Sequence, residues 1–432
     1  MIGGSRVSVG RVLESASRTH LLIISHDVVD RAMAGPGIRY WELARVLART
    51  CDVTLAVPWH SQLDGDGFRV VPYEPGDWPS MRAVAMRMDV VMPCGFMLGQ
   101  FPELAELSCP IIVDGYAPYP AEAVGLMVGR PTDEQERYHA DLANRLRMEC
   151  LAGDFYLCAS ERQRHWWLGL LTAYGRLNVD TYGSDPTLRS LVAVVPSGCR
   201  PEPPAHTRDV LKGMWAGIGR DDQVVLWGGG VWEWLDPVTL LHATRQLVTT
   251  RPGLRLVFPG THHPNPIVGD MPRRRQAVEL AAEMGLLGTH VFFGDAQTPA
   301  GWVPYEEWQN YLLEADVGVS LHVDSLEAEL AFRSRIMDYI GAGLPMVITA
   351  GDATSEIVER FGLGIAARVG DMAGVARAID RLLDEPRTAR SAQFARARAA
   401  LSWAEVAQPL VDFCRAPRRA PDHRRRVAAL RA

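Results

Sequence analysis

The chain has 432 residues, 47% of them hydrophobic and 22% charged, with a formal net charge of −6. That length exceeds one compact core and suits two domains of roughly 200 residues each. A net negative chain does not read as a nucleic-acid binder, no apolar run approaches the roughly 20 residues of a membrane-spanning helix, and seven cysteines without a C-x-x-C pair argue against a zinc ribbon or disulfide framework.

Scattered cysteines fit a reducing, cytoplasmic setting. The first twenty residues lack the apolar core of a signal peptide. Lys212 is the one lysine among 45 basic residues, a bias that reflects a GC-rich bacterial genome rather than chemistry.

In chain order, HLLIISHDV (20–28) reads as a buried strand, IRYWELARVLART (38–50) as an amphipathic helix and DVTLAVP (52–58) as the next strand. DVVMPCG (89–95), PIIVDGY (110–116), DFYLCAS (154–160) and VAVVPSG (192–198) add strands flanked by helices. Near-continuous apolar strands alternating with helices predict a parallel sheet covered on both faces. RPEPPAHT (200–207), with Pro196 just upstream, reads as an interdomain linker.

The second half repeats the alternation. Its strands are QVVLWGG (223–229), LRLVFPG (254–260), HVFFGD (290–295), VGVSLHV (317–323) and PMVIT (345–349), and its helices are placed over 237–250, 273–286, 305–314, 331–342 and 372–384. Two doubly wound α/β halves place a cleft at the carboxyl ends of both sets of strands. ALSWAEVAQPLVDFCR (400–415) is a last amphipathic helix able to cross back onto the first domain.

Three constellations carry possible chemistry. In AGPGIRYWELARVL (34–47), Gly35 and Gly37 permit a tight turn before a helix N-terminus; this is either an anion cradle or an ordinary β–α turn. In LWGGGVWEWLDP (226–237), Gly228 to Gly230 follow a strand, and Asp236 is placed to cap the next helix. No lysine or arginine lies inside this stretch, and Trp232 and Trp234 are either core or a ligand wall. In LHVDSLEAELAFRSRIMDYIGAGLPMVIT (321–349), Glu327, Glu329, Arg333, Arg335 and Asp338 concentrate at a strand–loop–helix junction, where an open α/β sheet binds ligands. His262 and His263 have no carboxylate beside them at a ligand spacing, so a metal pair is not expected.

Taken in order, GPGIRYWELARVL, VVPSG, LVFPGTHHPN, WVPYEEWQNYLLEADVGVSL and RIMDYIGAGLPMVIT resemble the GT-B glycosyltransferases of the family-4 type, which are retaining enzymes using nucleotide sugars. The most specific part is the succession "helix, AD, strand" then "helix, G-x-P, strand". The resemblance implies two Rossmann-like domains facing across a cleft. Residues 18–200 would bind the acceptor and 201–398 the nucleotide sugar. A helix over 399–416 would cross back, and a basic, flexible tail over 417–432 would make at most weak contact with anionic lipid.

The resemblance also assigns roles. Gly35 and Gly37 would approach the diphosphate from the acceptor side, and Gly229 and Gly230 would lie in the second-domain loop. The family's usual arginine and lysine are missing there. The second glutamate of the family's E-x7-E motif falls at Asp338, able to hold ribose hydroxyls; the first falls at Leu330, leaving Glu329 or Glu327 to touch the sugar. Arg335, with Arg333, is expected to neutralise the diphosphate in place of the absent pair and without a metal. On the acceptor side the candidates are His26, Asp114, Ser160 and Glu161; Asp114 either accepts from an acceptor hydroxyl or caps a turn. Asp114, Arg335 and Glu329 are thus the residues closest to the expected chemistry.

The expected reaction moves a sugar from a nucleotide-diphosphate donor (UDP, GDP, dTDP or ADP) to a hydroxyl of a natural product or cell-envelope glycan, with no further cofactor. A sugar-nucleotide epimerase and a non-catalytic nucleotide-sugar-binding partner are the alternatives.

Overall fold

The computed structural model describes residues 18–294 and 301–431. Seven parallel strands make the first sheet: β1 (His20–Ile24), β2 (Asp52–Pro58), β3 (Arg69–Tyr73), β4 (Val90–Pro93), β5 (Ile112–Asp114), β6 (Phe155–Cys158) and β7 (Val192–Val194). Four pair in the order β3-β2-β1-β4 and three in the order β5-β6-β7. Parallel bridges Val91–Ile111 and Cys94–Asp114 join the two groups.

The second sheet holds β8 (Gln223–Trp227), β9 (Leu254–Phe258), β10 (Val291–Phe293), β11 (Val317–Ser320), β12 (Met346–Thr349) and β13 (Gly364–Ala367), in the order β10-β9-β8-β11-β12-β13. In both sheets the strand order reverses beside the first strand, between β1 and β4 and between β8 and β11. A crevice opens at such switch points, beyond the carboxyl ends of the strands. The loops after β1 and β8 therefore face the site described below.

Apolar runs put these strands where they are. β1 buries Leu21 to Ile24 completely, and β4 and β12 are buried along their whole lengths, as parallel strands covered on both faces must be. One apolar core serves the first domain. Two serve the second, one on each face of its sheet, so helix Pro237–Leu247 and helix Arg335–Ala342 lie on opposite faces. Asp236 caps helix Pro237–Leu247, its Oδ1 accepting from Thr239 N (3.0 Å). The helix expected over 331–342 begins at Arg335. A shorter one, Leu326–Leu330, precedes it, capped by Ser325 accepting from Ala328 N.

After the second sheet the chain returns to the first domain. Trp403 enters its core, and Phe413 of helix Gln408–Arg415 stacks on Phe155 with ring centroids 4.5 Å apart. The tail expected to be flexible forms helix His423–Arg431. Buried charges hold it there. Asp422 takes two bonds from Arg176 (2.7 and 3.1 Å), while Arg419 and Arg426 donate to the buried Asp154. Without these residues the buried Asp154 and Arg176 would lose their oppositely charged partners, which is why a sequence of flexible composition is fixed. No helix among the described residues is long and apolar enough to cross a membrane.

Candidate functional site

The loop after β8 turns sharply at Gly229, whose φ of +77° is a left-handed conformation that L side chains rarely adopt. Its neighbours are already committed. Gly228 N donates to Tyr339 Oη (2.8 Å), and Gly230 O accepts from Trp227 Nε1 (3.2 Å) and from Arg335 Nη2 (3.3 Å). The Gly229 and Gly230 N–H groups donate to nothing among the described residues.

Arg335 opens helix Arg335–Ala342 and lies over the Trp227 ring, 5.3 Å from its centroid. Its Nη1 is buried without a partner. Burial pulls the guanidinium down to about 10, opposed by Tyr339 and assisted by Arg333, so it stays charged at neutral pH. One turn along, Asp338 accepts from Trp308 Nε1 (3.2 Å). Burial pushes this carboxyl up to about 7 against the Trp308 bond and the Arg335 charge.

These groups line a slot of about 120 Å³ between the domains. Met33, Ala34 and Gly35 close it from the first domain; Gly228 to Gly230, Trp302, Trp308, Arg335 and Asp338 close it from the second. The slot adjoins a cavity of about 680 Å³ on the linker side, with Gly35, Ile38, Tyr305, Trp308, Ser334 and Asp338 common to both. The larger space has the volume of a small-molecule site. Its floor is fixed by Glu42, which accepts from Tyr305 Oη (2.9 Å) and Arg200 (3.0 Å).

Bonds across the cleft hold the domains together. Asn265 Nδ2 donates to Asp27 Oδ1 (2.8 Å), Trp302 Nε1 to Met33 O (3.1 Å), and Gln163 Nε2 to Leu330 O (2.8 Å). His263 lies 3.9 Å from Asp27, edge-on to Trp232, and burial lowers its pKa against the pull of Asp27. Among the described residues one group, His206, Asp209 and Glu314, brings metal-ligating atoms within 4.8 Å of one another. Glu314 is already spent there on the N–H groups of Val210, Leu211 and Lys212. Asp295, read from sequence as a strand end, lies outside the described residues.

The structure gathers Gly35, Gly229, Gly230, Arg335 and Asp338 at one slot and places the other candidates elsewhere. Gly37 is absent from the slot lining; a Cβ on it would stand 2.2 Å from Val28 O, so this glycine serves close packing of the helix against the preceding loop. Arg333 and Glu327 are buried and pair with each other, with bonds of 2.7 and 2.8 Å, so the Arg333 charge is already committed to Glu327. Glu329 is exposed and lines neither cavity.

The acceptor-side candidates are spread in the same way. Asp114 is buried and takes both Nε and Nη2 of Arg39 at 2.8 Å. Ser160 caps helix Glu161–Ala173, and Glu161 pairs with Arg189 (2.9 Å). His26 packs edge-on to Phe96 (4.6 Å) with Nδ1 unpartnered; burial lowers its pKa, opposed by Asp27 and Asp114.

The sequence reading missed Trp302, Tyr305 and Trp308 as site walls. Their segment, WVPYEEW, had a helix signal and an aromatic cluster, but nothing local says that its tryptophans turn toward Gly35 and Asp338. Stacking of Trp232 on Trp234 (5.4 Å) resolves the other pair as packing for the second core.

No protein-family model and no curated protein matches the sequence. Solved structures do. Sucrose-phosphate synthase from Thermosynechococcus elongatus superposes with a TM-score of 0.64 at 18% identity, covering 95% of this chain and all of that one. HepE of Anabaena, solved in complex with UDP and glucose, gives 0.60 at 12% identity over 92% of this chain and all of that one. WaaG, a glycosyltransferase of lipopolysaccharide biosynthesis, gives 0.58 at 14% identity over 92% and 100%. The architecture is GT-B: two Rossmann-like domains facing across a cleft.

Proposed function

We propose that this chain is a retaining glycosyltransferase that moves a sugar from a nucleotide-diphosphate sugar to an acceptor hydroxyl without a metal. The observation that carries the reading is the Arg335 guanidinium set against the Gly229–Gly230 turn, with one nitrogen unpartnered and two backbone N–H groups unused. A diphosphate brings about two negative charges, and its departure needs donors already aimed at the developing charge. Arg335 and the glycine amides supply them, taking the role of the missing arginine–lysine pair. Asp338 receives the ribose hydroxyls, and the larger cavity receives the nucleoside. Transfer on the front face lets the leaving phosphate take the acceptor proton, which requires no protein nucleophile. HepE, with UDP and glucose bound in the same fold, supports this reading.

The experiment is a thermal-shift series with UDP, GDP, dTDP and ADP, followed by donor turnover with and without an acceptor panel. A ligand that binds the native state raises its melting temperature. No shift with any of the four overturns the reading. One observation favours a non-catalytic nucleotide-sugar-binding partner instead. Leu330 stands where a sugar-binding glutamate is expected, and its carbonyl is tied to Gln163. Nucleotide binding without turnover across the panel would establish that alternative; epimerised sugar released without acceptor would establish the epimerase.

A further inference from the structure

Tyr305 opens helix Tyr305–Glu314 of the second domain, yet the first domain holds it at both ends. Its backbone N–H donates to Arg31 O (2.8 Å) and its Oη to Glu42 Oε1 (2.9 Å). Its ring packs against the apolar core of the first domain. Burial raises the phenol well above its ordinary value, so it stays a protonated donor. Tyr305 is a peg set across the cleft.

Glu42 receives the peg. It lies two turns along helix Gly35–Leu47 from Gly35 and is 3% exposed. Besides Tyr305 it accepts from Nε and Nη2 of Arg200 in the linker (3.0 Å each) and from Nη1 of Arg45 on its own helix (3.1 Å to Oε2). Arg200 also lies over the Tyr305 ring, 4.9 Å from its centroid. One buried carboxylate thus joins the first domain, the linker and the second domain. A buried charge needs all such donors, and these converge only while the domains keep this spacing.

The junction reaches the nucleotide site. Trp308, one helical turn after Tyr305, donates to Asp338 (3.2 Å), and Glu42, Arg200, Tyr305, Trp308 and Asp338 line one cavity. The titratable groups facing Asp338 are Arg335 and Tyr339 on its own helix, Tyr305 on the facing helix, Arg200 and Cys199 on the linker, and Glu42. Burial raises the Asp338 carboxyl. The Trp308 bond, Arg335 and Arg200 oppose that rise, and the Glu42 charge adds to it.

We propose that Glu42 and Tyr305 are positioning residues for the nucleoside diphosphate: their bond holds the cleft at the spacing at which Gly35 and Asp338 line one slot, and the Glu42 carboxylate acts on Asp338 through its charge. Neither touches the reacting atoms. This inference rests on the reading of Asp338 as the ribose site, and it adds a first-domain residue to nucleotide recognition. Without the peg the cleft opens, and apparent affinity falls with the fraction of chains that remain closed.

The test uses the full-length protein and the nucleoside diphosphate giving the largest melting shift, by titration calorimetry from pH 6 to 8. Tyr305→Phe keeps the ring and every charge but breaks the bond. It is expected to weaken binding by about five- to tenfold, with an unmoved pH profile. Glu42→Gln keeps an acceptor for Tyr305 but loses the charge. Asp338 then ionises at lower pH, so the rise of affinity with pH is expected to move to lower pH. On an Asp338→Asn chain, Glu42→Gln is expected to leave the profile where it is.

Undiminished affinity in Tyr305→Phe overturns the proposal, including the case in which only the nucleotide-free melting temperature falls, since that is a purely structural role. A midpoint that stays in place in Glu42→Gln, or moves equally on the Asp338→Asn chain, removes Glu42 from the site. Should Glu42→Gln fail to fold, Tyr305→Phe decides alone. Failure of every nucleotide to shift the natural chain defeats the glycosyltransferase reading instead.

Discussion

Arg335 Nη2 donates to the carbonyl of Gly230 at 3.3 Å, joining the start of helix Arg335–Ala342 to the loop after β8 across 105 residues of sequence. The contact places a full positive charge beside a turn that has none of its own. Gly229 shapes that turn through its φ of +77°, a conformation that L side chains rarely adopt, and a Cβ there would meet Arg335 Nη2 only at an ordinary contact distance of 3.8 Å.

Reversing the charge at this point should remove nucleotide binding. Arg335→Glu is expected to abolish the melting shift by nucleoside diphosphates, and Arg335→Lys to weaken binding by about ten- to a hundredfold. A lysine keeps the charge but loses the fork that reaches the carbonyl and the phosphate together, a loss of about 1.5–3 kcal/mol. Titration calorimetry reads both, and unchanged affinity in Arg335→Glu would show that the diphosphate lies elsewhere.

Asp338 gives the same binding a pH dependence. Its carboxyl, raised to about 7 by burial, accepts ribose hydroxyls best when ionised. Affinity for the nucleoside diphosphate is therefore expected to rise as pH increases from 6 to 8. Asp338→Asn should flatten that rise, which separates it from titration of the phosphate itself. Parallel slopes for the two proteins would remove Asp338 from the ribose site.

Glu149 acts on stability instead. It is fully buried; Tyr119 Oη donates to its Oε1 (2.7 Å), and Oε2 has no partner. Burial raises the carboxyl to about 8, against that bond and the nearby Arg145. A folded pKa above the unfolded one means that the group's stabilisation is complete below about 4.5 and is lost as pH rises through about 8. Glu149→Gln keeps an acceptor for Tyr119 and cannot ionise. At pH 9 it should exceed the natural chain by on the order of 1–3 kcal/mol in denaturant unfolding. An advantage independent of pH would rule out this carboxyl as the titrating group.

The returning tail should matter to the first domain although it is remote from the slot. Ending the chain after Ala416 strands Arg176 and Asp154 as buried charges. The expected loss is about 3–5 kcal/mol, the usual consequence of removing one partner of a buried pair. Asp422→Asn, with one partner altered in place, should show part of it. A truncated chain as stable as the whole one would mean that water solvates those charges.

The strands were legible because burial on both faces writes itself as apolar runs. HLLIISHDV, DVTLAVP, QVVLW and PMVIT contain β1, β2, β8 and β12. β3, RVVPY, escaped notice. It is an edge strand with partly exposed residues and Pro72 inside it, so no continuous apolar run marks it. Helix Thr132–Ala152 is polar along most of its length and left no amphipathic stripe to read.

The sequence by itself determined the alternation of elements, the linker and the presence of a glycine turn after β8, because these follow from local burial period and backbone freedom. Only the tertiary structure decided which charges are free to act. Arg39 silences Asp114 from 75 residues away, Arg333 and Glu327 silence each other, and Arg335 reaches the turn with a nitrogen to spare. Pairing between charges is settled by distances of a few ångströms in space, and no spacing along a chain encodes those distances once the path runs through a loop and a second element.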